Sequence, residues 1–397
     1  MATTAFNSTN HSSLVVQKWS SKLFTHAMKE NPFTKFMGTG EDSMIQVNKD
    51  FVKEAGDKIT FALRALDNSD GQGDDGTYEG NEAAMTFYSC DVQIHERGHS
   101  QKLNGNMTEQ RTIINLREAA TKSLGEWYAR VLATDISMAL SGLGNVKLTG
   151  LYSGEAAVDA SSTGLQTVNQ VTVANAGTYR RFYGGQLTAG TLTSVTGVAS
   201  IANATSFKFG TQVISHVKRM AEQYVDYSNG TTGAVLNQIR PIMVNGKKHY
   251  VMLIHPLQAK DLREETAWLQ AQREANVRGE ANPIFTGAYG VWDNVIIHVN
   301  DYAAVRYGES TQNTTSEYFD NASDVCASGV AVARGLFCGA QAGLLAFGKM
   351  PSFTEKSHDY NTKYGVHTDV IYGVKKPTFN SQAFGCITVD TAVSLPS

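Results

Sequence analysis

The sequence predicts an α+β protein in which a charged β-hairpin is followed directly by one long helix. Three observations carry that prediction. Ile59, Phe61 and Leu63 alternate with period two, and a second alternating run passes through Phe87, Val92 and Ile94 between Met85 and Leu103. Ile113, Leu116, Ala120, Leu124, Trp127, Val131 and Leu132 then recur on one helical face. From about Ile239 onward strands and helices alternate, with Tyr250–His255 as a strand and Pro256 opening a helix.

Each element has a local reason. Residues 1–50 read as an arm with one or two short helices, since Leu14, Trp19, Leu23 and Phe24 form a helical stripe that Asn31-Pro32-Phe33 breaks. The Gly- and Asp-rich stretch Asp67–Gly80 reads as the surface tip of the hairpin. A two-stranded hairpin is marginal on its own in water, so it needs another surface; a neighbouring copy of the chain is the expected one. The helix is predicted to start behind an Asn106/Glu109 capping pair and to end at Gly142 and Gly144. From Asn145 to about Ser206 the chain turns to Gly, Ala, Ser, Thr and Val, an expected inserted β-rich or irregular module with short strands near Gln170–Ala174 and Leu192–Ile201. A second amphipathic helix is predicted from Thr211 to about Gln223, and further strands at Val291–Val299, Val366–Val374 and Phe384–Val389.

Composition narrows the function classes. With 42% hydrophobic and 18% charged residues among 397, the chain can bury a substantial core. A formal net charge of −3 gives no general attraction to nucleic acid or anionic membrane. The amino terminus lacks a basic segment followed by an apolar run, so no signal peptide is expected, and no stretch is apolar enough to span a bilayer. Cys90, Cys326, Cys338 and Cys386 have no metal or redox spacing, which suggests free thiols and leaves an oxidised pair open.

Few stretches suggest chemistry. His95-Glu96-Arg97-Gly98-His99 matches the zinc-protease pattern, which works only on a helix, where both histidines share a face. Its flanks alternate with period two, and on a strand the two backbones lie about 13 Å apart, too far for one zinc. Exposed strand polarity is therefore the preferred reading. The acidic Asp70–Gly76 loop fails the EF-hand pattern, because Asp75 stands where glycine is needed and Asn81 where glutamate is needed. There is no phosphate loop, Cys-x-x-Cys pair or Gly-x-Ser-x-Gly elbow. His255, between a strand and Pro256, reads as a hydrogen-bonded strand-end residue.

Several runs taken together resemble a known family. They are Gly80-Asn-Glu-Ala-Ala-Met-Thr-Phe-Tyr88, Arg97-x-His99, Leu103-x-Gly105-x-Met107-Thr-Glu-Gln-Arg-Thr112, Leu116-Arg117, Gly339-Ala-Gln-Ala342 before Ala346-Phe-Gly348, and Gly373-Val-Lys-Lys-Pro377 with Phe384-Gly385. Their order and spacing are similar to those of the N-four-like family of tailed-bacteriophage major capsid proteins. The resemblance implies the HK-ninety-seven-type capsid fold, with residues 1–50 as the N-terminal arm and 51–105 as the extended loop lying across a neighbour. It implies 106–143 as the spine helix of a peripheral domain, 211–235 as a further helix of that domain, 236–375 as an α/β axial domain and 376–397 as a returning strand. The 144–210 module lies outside the pattern and is expected on the outer face.

The function implied is that of a structural subunit, not an enzyme, with no cofactor and no metal. It would assemble as a homo-oligomer into pentamers and hexamers of an icosahedral head enclosing DNA, in the virion after assembly in the host cytoplasm, alongside scaffold, portal and decoration proteins. The expected lattice contacts are acidic residues of the loop, Asp74, Asp75 and Glu79, meeting a basic patch, and Arg97, Arg111 and Arg117 pairing with carboxylates across the subunit boundary. The rival readings are a zinc hydrolase on His95 and His99, and an encapsulin-like compartment shell.

Overall fold

A computed structural model of the chain describes residues 31–49, 56–64, 73, 77, 79, 87–103, 111, 116–142, 168–169, 178–186, 192–203, 206–223, 238–244, 246–274, 289–303, 305–307, 330–360, 362–379 and 382–394. Two sheets dominate these residues. The six-stranded sheet runs β1 (Met37–Gly38), β2 (Ile45–Asn48), β15 (Gly343–His358), β16 (Lys363–Lys375) and β5 (His95–Lys102), with β6 (Val168–Asn169) added to the end of β16. The nine-stranded sheet runs β11 (Gly290–Trp292), β12 (Val295–Val299), β10 (Lys247–Ile254), β14 (Ala331–Cys338), β19 (Cys386–Val393), β7 (Arg181–Gln186) and β8 (Leu192–Ser194). Two short strands flank that path, β9 (Ile242–Val244) on β10 and β13 (Val305–Tyr307) on β14. Two hairpins stand apart, β3 (Lys58–Arg64) with β4 (Phe87–Gln93), and β17 (Thr378–Phe379) with β18 (Gln382–Ala383).

One helix joins the two sheets. Helix α1 (Leu116–Ser141) is 26 residues, about 39 Å long. Its first half presents Ala120 and Leu124 to Phe353 and Val366 of the six-stranded sheet. Its second half carries Tyr128, Leu132, Ile136 and Leu140 into a core shared with Val251, Leu253 and Leu336 of the nine-stranded sheet and with Leu345 and Tyr372 of the other. From Val131 to Gly142 only Thr134 is not buried, so this half of the helix is enclosed on nearly every side rather than on one face. The helix stops at Gly142, whose φ of +76° is the left-handed cap that glycine adopts without cost.

The nine-stranded sheet is covered on both faces. Val251 and Leu253 face α1, while Tyr250, Met252 and Ile254 alternate to the opposite side. There they meet α2 (Thr211–Glu222), through Val213, Ile214 and Val217, and α3 (Pro256–Glu264), through Ala259 and Leu262. Trp268 of α4 (Thr266–Glu274) closes the same layer. Every residue of β14 and β19 is buried, as expected of central strands with no solvent face.

A buried charge pair holds this layer to α1. Arg334 of β14 and Asp390 of β19 face each other in register, with Nε to Oδ1 at 2.8 Å and a second nitrogen to Oδ2 at 2.9 Å. The remaining terminal nitrogen donates to the Ser141 carbonyl at 3.0 Å. That oxygen belongs to the last turn of α1, where the helix dipole favours a cation. Nearby, Ser137 Oγ donates to the Tyr302 carbonyl at 2.8 Å and accepts from Asn300 Nδ2 at 3.0 Å.

The fold redraws several expected boundaries. Residues 31–48 are not a free arm: Phe33, Met44, Ile45 and Val47 are core, and β2 runs parallel to β15. Strand β5 leaves the expected hairpin and pairs antiparallel with β16. The pair β15–β16 belongs to the sheet under the first half of α1, whereas β19 lies mid-sheet in the other, the reverse of the expected axial and returning assignments. Part of the expected surface module is structural as well, since β7 runs parallel to β19 and buries Phe182 and Tyr183. Gln170–Ala174 lies outside the described residues.

Removing one partner of the buried pair leaves the other charged and unpaired. Arg334→Met is therefore expected to lose about 3–5 kcal/mol in urea unfolding, and adding Asp390→Leu to recover most of it. An equal loss in single and double variants would assign the effect to packing instead.

Helix α3 carries two titrating groups of opposite sign. His255 caps it, with Nδ1 accepting from Leu257 N at 3.1 Å while its own N–H donates to Gln258 Oε1 at 3.0 Å. Burial drives its pKa from 6.5 to about 4, against the pull of Asp301. Since the unfolded chain binds the proton first, this stabilisation is complete above about pH 6.5 and is lost as pH falls toward about 4. Asp261 is buried, and neither carboxylate oxygen finds a hydrogen-bond partner among the described residues. Burial raises its pKa from 3.8 to about 6, so its contribution is present at low pH and is lost as pH rises through that window. Asp261→Asn is expected to raise the melting temperature at pH 7 and leave it unchanged near pH 3.5, whereas His255→Asn keeps a capping acceptor and flattens the acid limb between pH 6.5 and 4. Parallel pH–stability curves for wild type and both variants would contradict this.

Candidate assembly surface

The hairpin β3–β4 is the element the sequence marks for assembly, and its root is built into its own subunit. Alternation places Ile59, Phe61 and Leu63 of β3 and Cys90 and Val92 of β4 on one face, all buried against Leu344 and Ala346 of β15. Tyr88, Ile94 and Phe384 pack at the margin. The Tyr88 ring lies on Phe379, centroids 3.5 Å apart. The opposite face is polar: Lys58, Thr60, Ala62, Ser89, Asp91 and Gln93 are exposed, and Thr60 Oγ1 donates to Asp91 Oδ1 at 2.6 Å.

Polar contacts fix the root in register. Asn169 Oδ1 accepts from Gln93 N at 2.9 Å, and its Nδ2 donates to the carbonyls of Gln93 and Val374, each at 3.1 Å. Lys375 Nζ donates to the Asp91 carbonyl at 2.7 Å. On the other strand, Gln341 Nε2 lies 2.9 Å from Gln46 Oε1 and 3.3 Å from the Ala62 carbonyl. Gly373 makes the close approach possible, because a Cβ there would lie 1.9 Å from the Gln93 carbonyl oxygen.

The expected contact residues do not form one cluster among the described residues. Asp74 and Asp75 lie outside them; Glu79 is an exposed turn residue. Arg111 is helical and exposed, and Arg117 is the second residue of α1. Arg97 departs from expectation. Its guanidinium pairs with Asp135 of α1 at 2.6 Å, and Asp135 also accepts from the Tyr372 hydroxyl at 2.5 Å. Burial pulls the Arg97 pKa down, but the negative charge of Asp135 and the Tyr372 hydroxyl outweigh it and keep the group above its ordinary value. Arg97 thus ties β5 to α1 within one chain, because its strand lies against the helix and leaves the side chain only 19% exposed.

The zinc reading fails on geometry. His95 and His99 lie on β5, opposite Tyr372 and Thr368, and His99 stacks on Trp127 with centroids 4.9 Å apart. No group of three or more His, Cys, Asp or Glu placed to hold a metal occurs among the described residues. Sequence reasoning missed Asn169, Gly373 and Lys375 as hairpin anchors. Gly373 and Lys375 stand in one of the runs that carried the family resemblance, which was their only signal.

A two-sheet body spanned by one long helix, with a hairpin rooted in the body, is an architecture shared with phage capsid subunits. Residues 7–395 match the family of phage capsid proteins, and the chain belongs to that family. It is 26% identical over 388 residues to the major capsid protein of Pseudomonas phage KPP25, covering 94% of each chain. It superimposes on the capsid of Ralstonia phage GP4 with a TM-score of 0.69 at 26% identity, covering 92% of each chain. The capsid of cyanophage Pam1 gives a TM-score of 0.64 at 24% identity, covering 92% of this chain and 93% of that one. The mixed α+β fold is that of tailed-phage capsids, HK-ninety-seven-type subunits included. The protein is a major capsid protein of a phage head, a virion component that builds its lattice from many copies.

The close approach at Gly373 is directly testable. Gly373→Ala is expected to lose about 1–3 kcal/mol of stability by overpacking and to expose residues 87–94 to limited proteolysis. Unchanged stability and cleavage would show that the hairpin root shifts freely.

Proposed function

We propose that this subunit forms pentamers and hexamers of an icosahedral head enclosing double-stranded DNA, and that the hairpin makes the contact coupling one subunit to the next. The observation supporting this is the division of the hairpin. Its root has a complete apolar face and five described polar contacts inside its own chain, while the stretch between the strands, 65–86, carries Asp67, Asp70, Asp74, Asp75, Glu79 and Glu82. Residues that fold onto their own body need no neighbour; an acidic segment between two such strands is suited to one.

In this reading Asp74, Asp75 and Glu79 meet a basic patch of the adjacent subunit, and Arg111 and Arg117 pair with carboxylates across the boundary. Each contact is weak, and many made together close the shell. A formal net charge of −3 suits a container wall, since a strongly basic lining would bind the packaged DNA and impede its movement. The subunit performs no catalysis and holds no cofactor. Assembly takes place in the host cytoplasm with scaffold, portal and decoration proteins; none of the described helices is long and apolar enough to cross a membrane.

Electron microscopy with sedimentation of an Asp74→Ala, Asp75→Ala variant tests the contact. Particle yield is expected to fall severalfold while circular dichroism and melting temperature stay at wild-type values. Wild-type yield of closed, five- and six-fold symmetric shells would remove these two residues from the lattice contact.

A further inference from the structure

Two of the thiols lie together in a place the assembly function does not use. Cys338 is the last residue of β14 and Cys386 the first of β19, and the two are paired directly in the antiparallel ladder. Their sulfurs are 4.0 Å apart, and both residues are almost completely buried. Directly opposed antiparallel residues have Cα atoms about 4.5–5.5 Å apart, inside the range a disulfide spans.

The surroundings differentiate the two sulfurs. Cys338 donates to Cys386, and this hydrogen bond pulls the Cys386 pKa below the ordinary thiol value, with the Lys376 ammonium and Arg180 guanidinium acting in the same direction against burial. The same hydrogen bond, with burial, pushes Cys338 well above it. Lys376 and Arg180 are themselves buried. Cys386 accepts the Cys338 hydrogen bond, so it is assigned the first attack, and Cys338, already aimed at it from 4.0 Å, the resolving role. The pair ends its ladder, and beyond it Gly339 N donates to the Gly385 carbonyl at 2.9 Å, so an oxidant reaches the sulfurs only through local opening of this strand end.

We propose that Cys338 and Cys386 form a reversible modification site that closes to a cross-strand disulfide when the subunit meets a small oxidant of the peroxide class. The Cys386 thiolate attacks one peroxide oxygen, the O–O bond breaks, and the departing hydroxide takes up a proton to leave as water, giving a sulfenic acid at Cys386. Cys338 sulfur then attacks Cys386 sulfur, its thiol proton passes to the leaving hydroxide, and a second water departs. The two sulfurs supply the two electrons that reduce the peroxide. The bond ties the C-terminal strand β19 to β14 across a 47-residue intervening segment, closing a long loop that would otherwise be free in the unfolded chain. Cys90 shares none of this: it is buried on the hairpin opposite Phe61, with no second sulfur in the ladder.

The test uses the full-length chain treated with hydrogen peroxide, then alkylated in denaturant and peptide-mapped without reductant. The expected result is a linked peptide pair containing Cys338 and Cys386, lighter by two hydrogens and separated by dithiothreitol. The melting temperature is expected to rise by a few degrees, on the order of the shift a long-loop disulfide gives, and to fall back on reduction. Full alkylation of both thiols, in samples whose exposed methionines are oxidised, would overturn the proposal, as would linkage of either residue to Cys90 or Cys326. In Cys338→Ser, dimedone labelling of Cys386 supports the assigned order of attack, and an inert Cys386 contradicts it.

Discussion

The structure depends on a helix that serves two sheets at once. Helix α1 lies on the six-stranded sheet along both halves and meets the nine-stranded sheet with its second, so both sheets use it as a common wall. Its C-terminus is the critical point. There the Arg334–Asp390 fork reaches out of two central strands to the Ser141 carbonyl, converting a helix end that would otherwise leave acceptors buried into a fixed joint. Such a pair in an apolar layer adds little net stability and strong positional demand. A shell subunit needs that kind of joint, because small rotations between its parts are multiplied around a closed lattice.

The hairpin follows from the same body. Strands β15 and β16 pair antiparallel beneath α1, and β3–β4 lies on the start of β15 through Leu344 and Ala346. Asn169, Lys375 and Gln341 then fix its direction by bonding backbone carbonyls that an edge strand leaves open. The root is thus fixed to its own subunit. Arg97 is likewise internal: its charge is used between β5 and α1.

Local signals in the sequence recovered local structure. The period-two runs placed β3 and β4, the apolar stripe placed α1, and His255-Pro256 marked the start of α3, because each depends on residues close in sequence. The partition of the chain between sheets was not legible. The Val332–Ala392 and Phe182–Val389 pairings join residues that are distant in sequence, and β14 and β19, buried on both faces, show no alternation to betray which sheet they enter. The Gly- and Thr-rich region looked like surface because buried residues such as Val168, Phe182, Tyr183, Val198 and Ile201 stand among small ones. Arg97 looked free for the same reason that any charge does: its partner Asp135 sits on a helix that sequence alone does not lay beside the strand.

Hydrogen exchange on the unassembled subunit and on the closed shell, read peptide by peptide, tests the central claim that the hairpin root belongs to its own subunit and its loop to the neighbour. The account predicts slow exchange in β3 and β4 in both forms, with residues 65–86 gaining protection only on assembly. Fast exchange of β3 and β4 in the free subunit, or a loop whose exchange is the same before and after assembly, would contradict it.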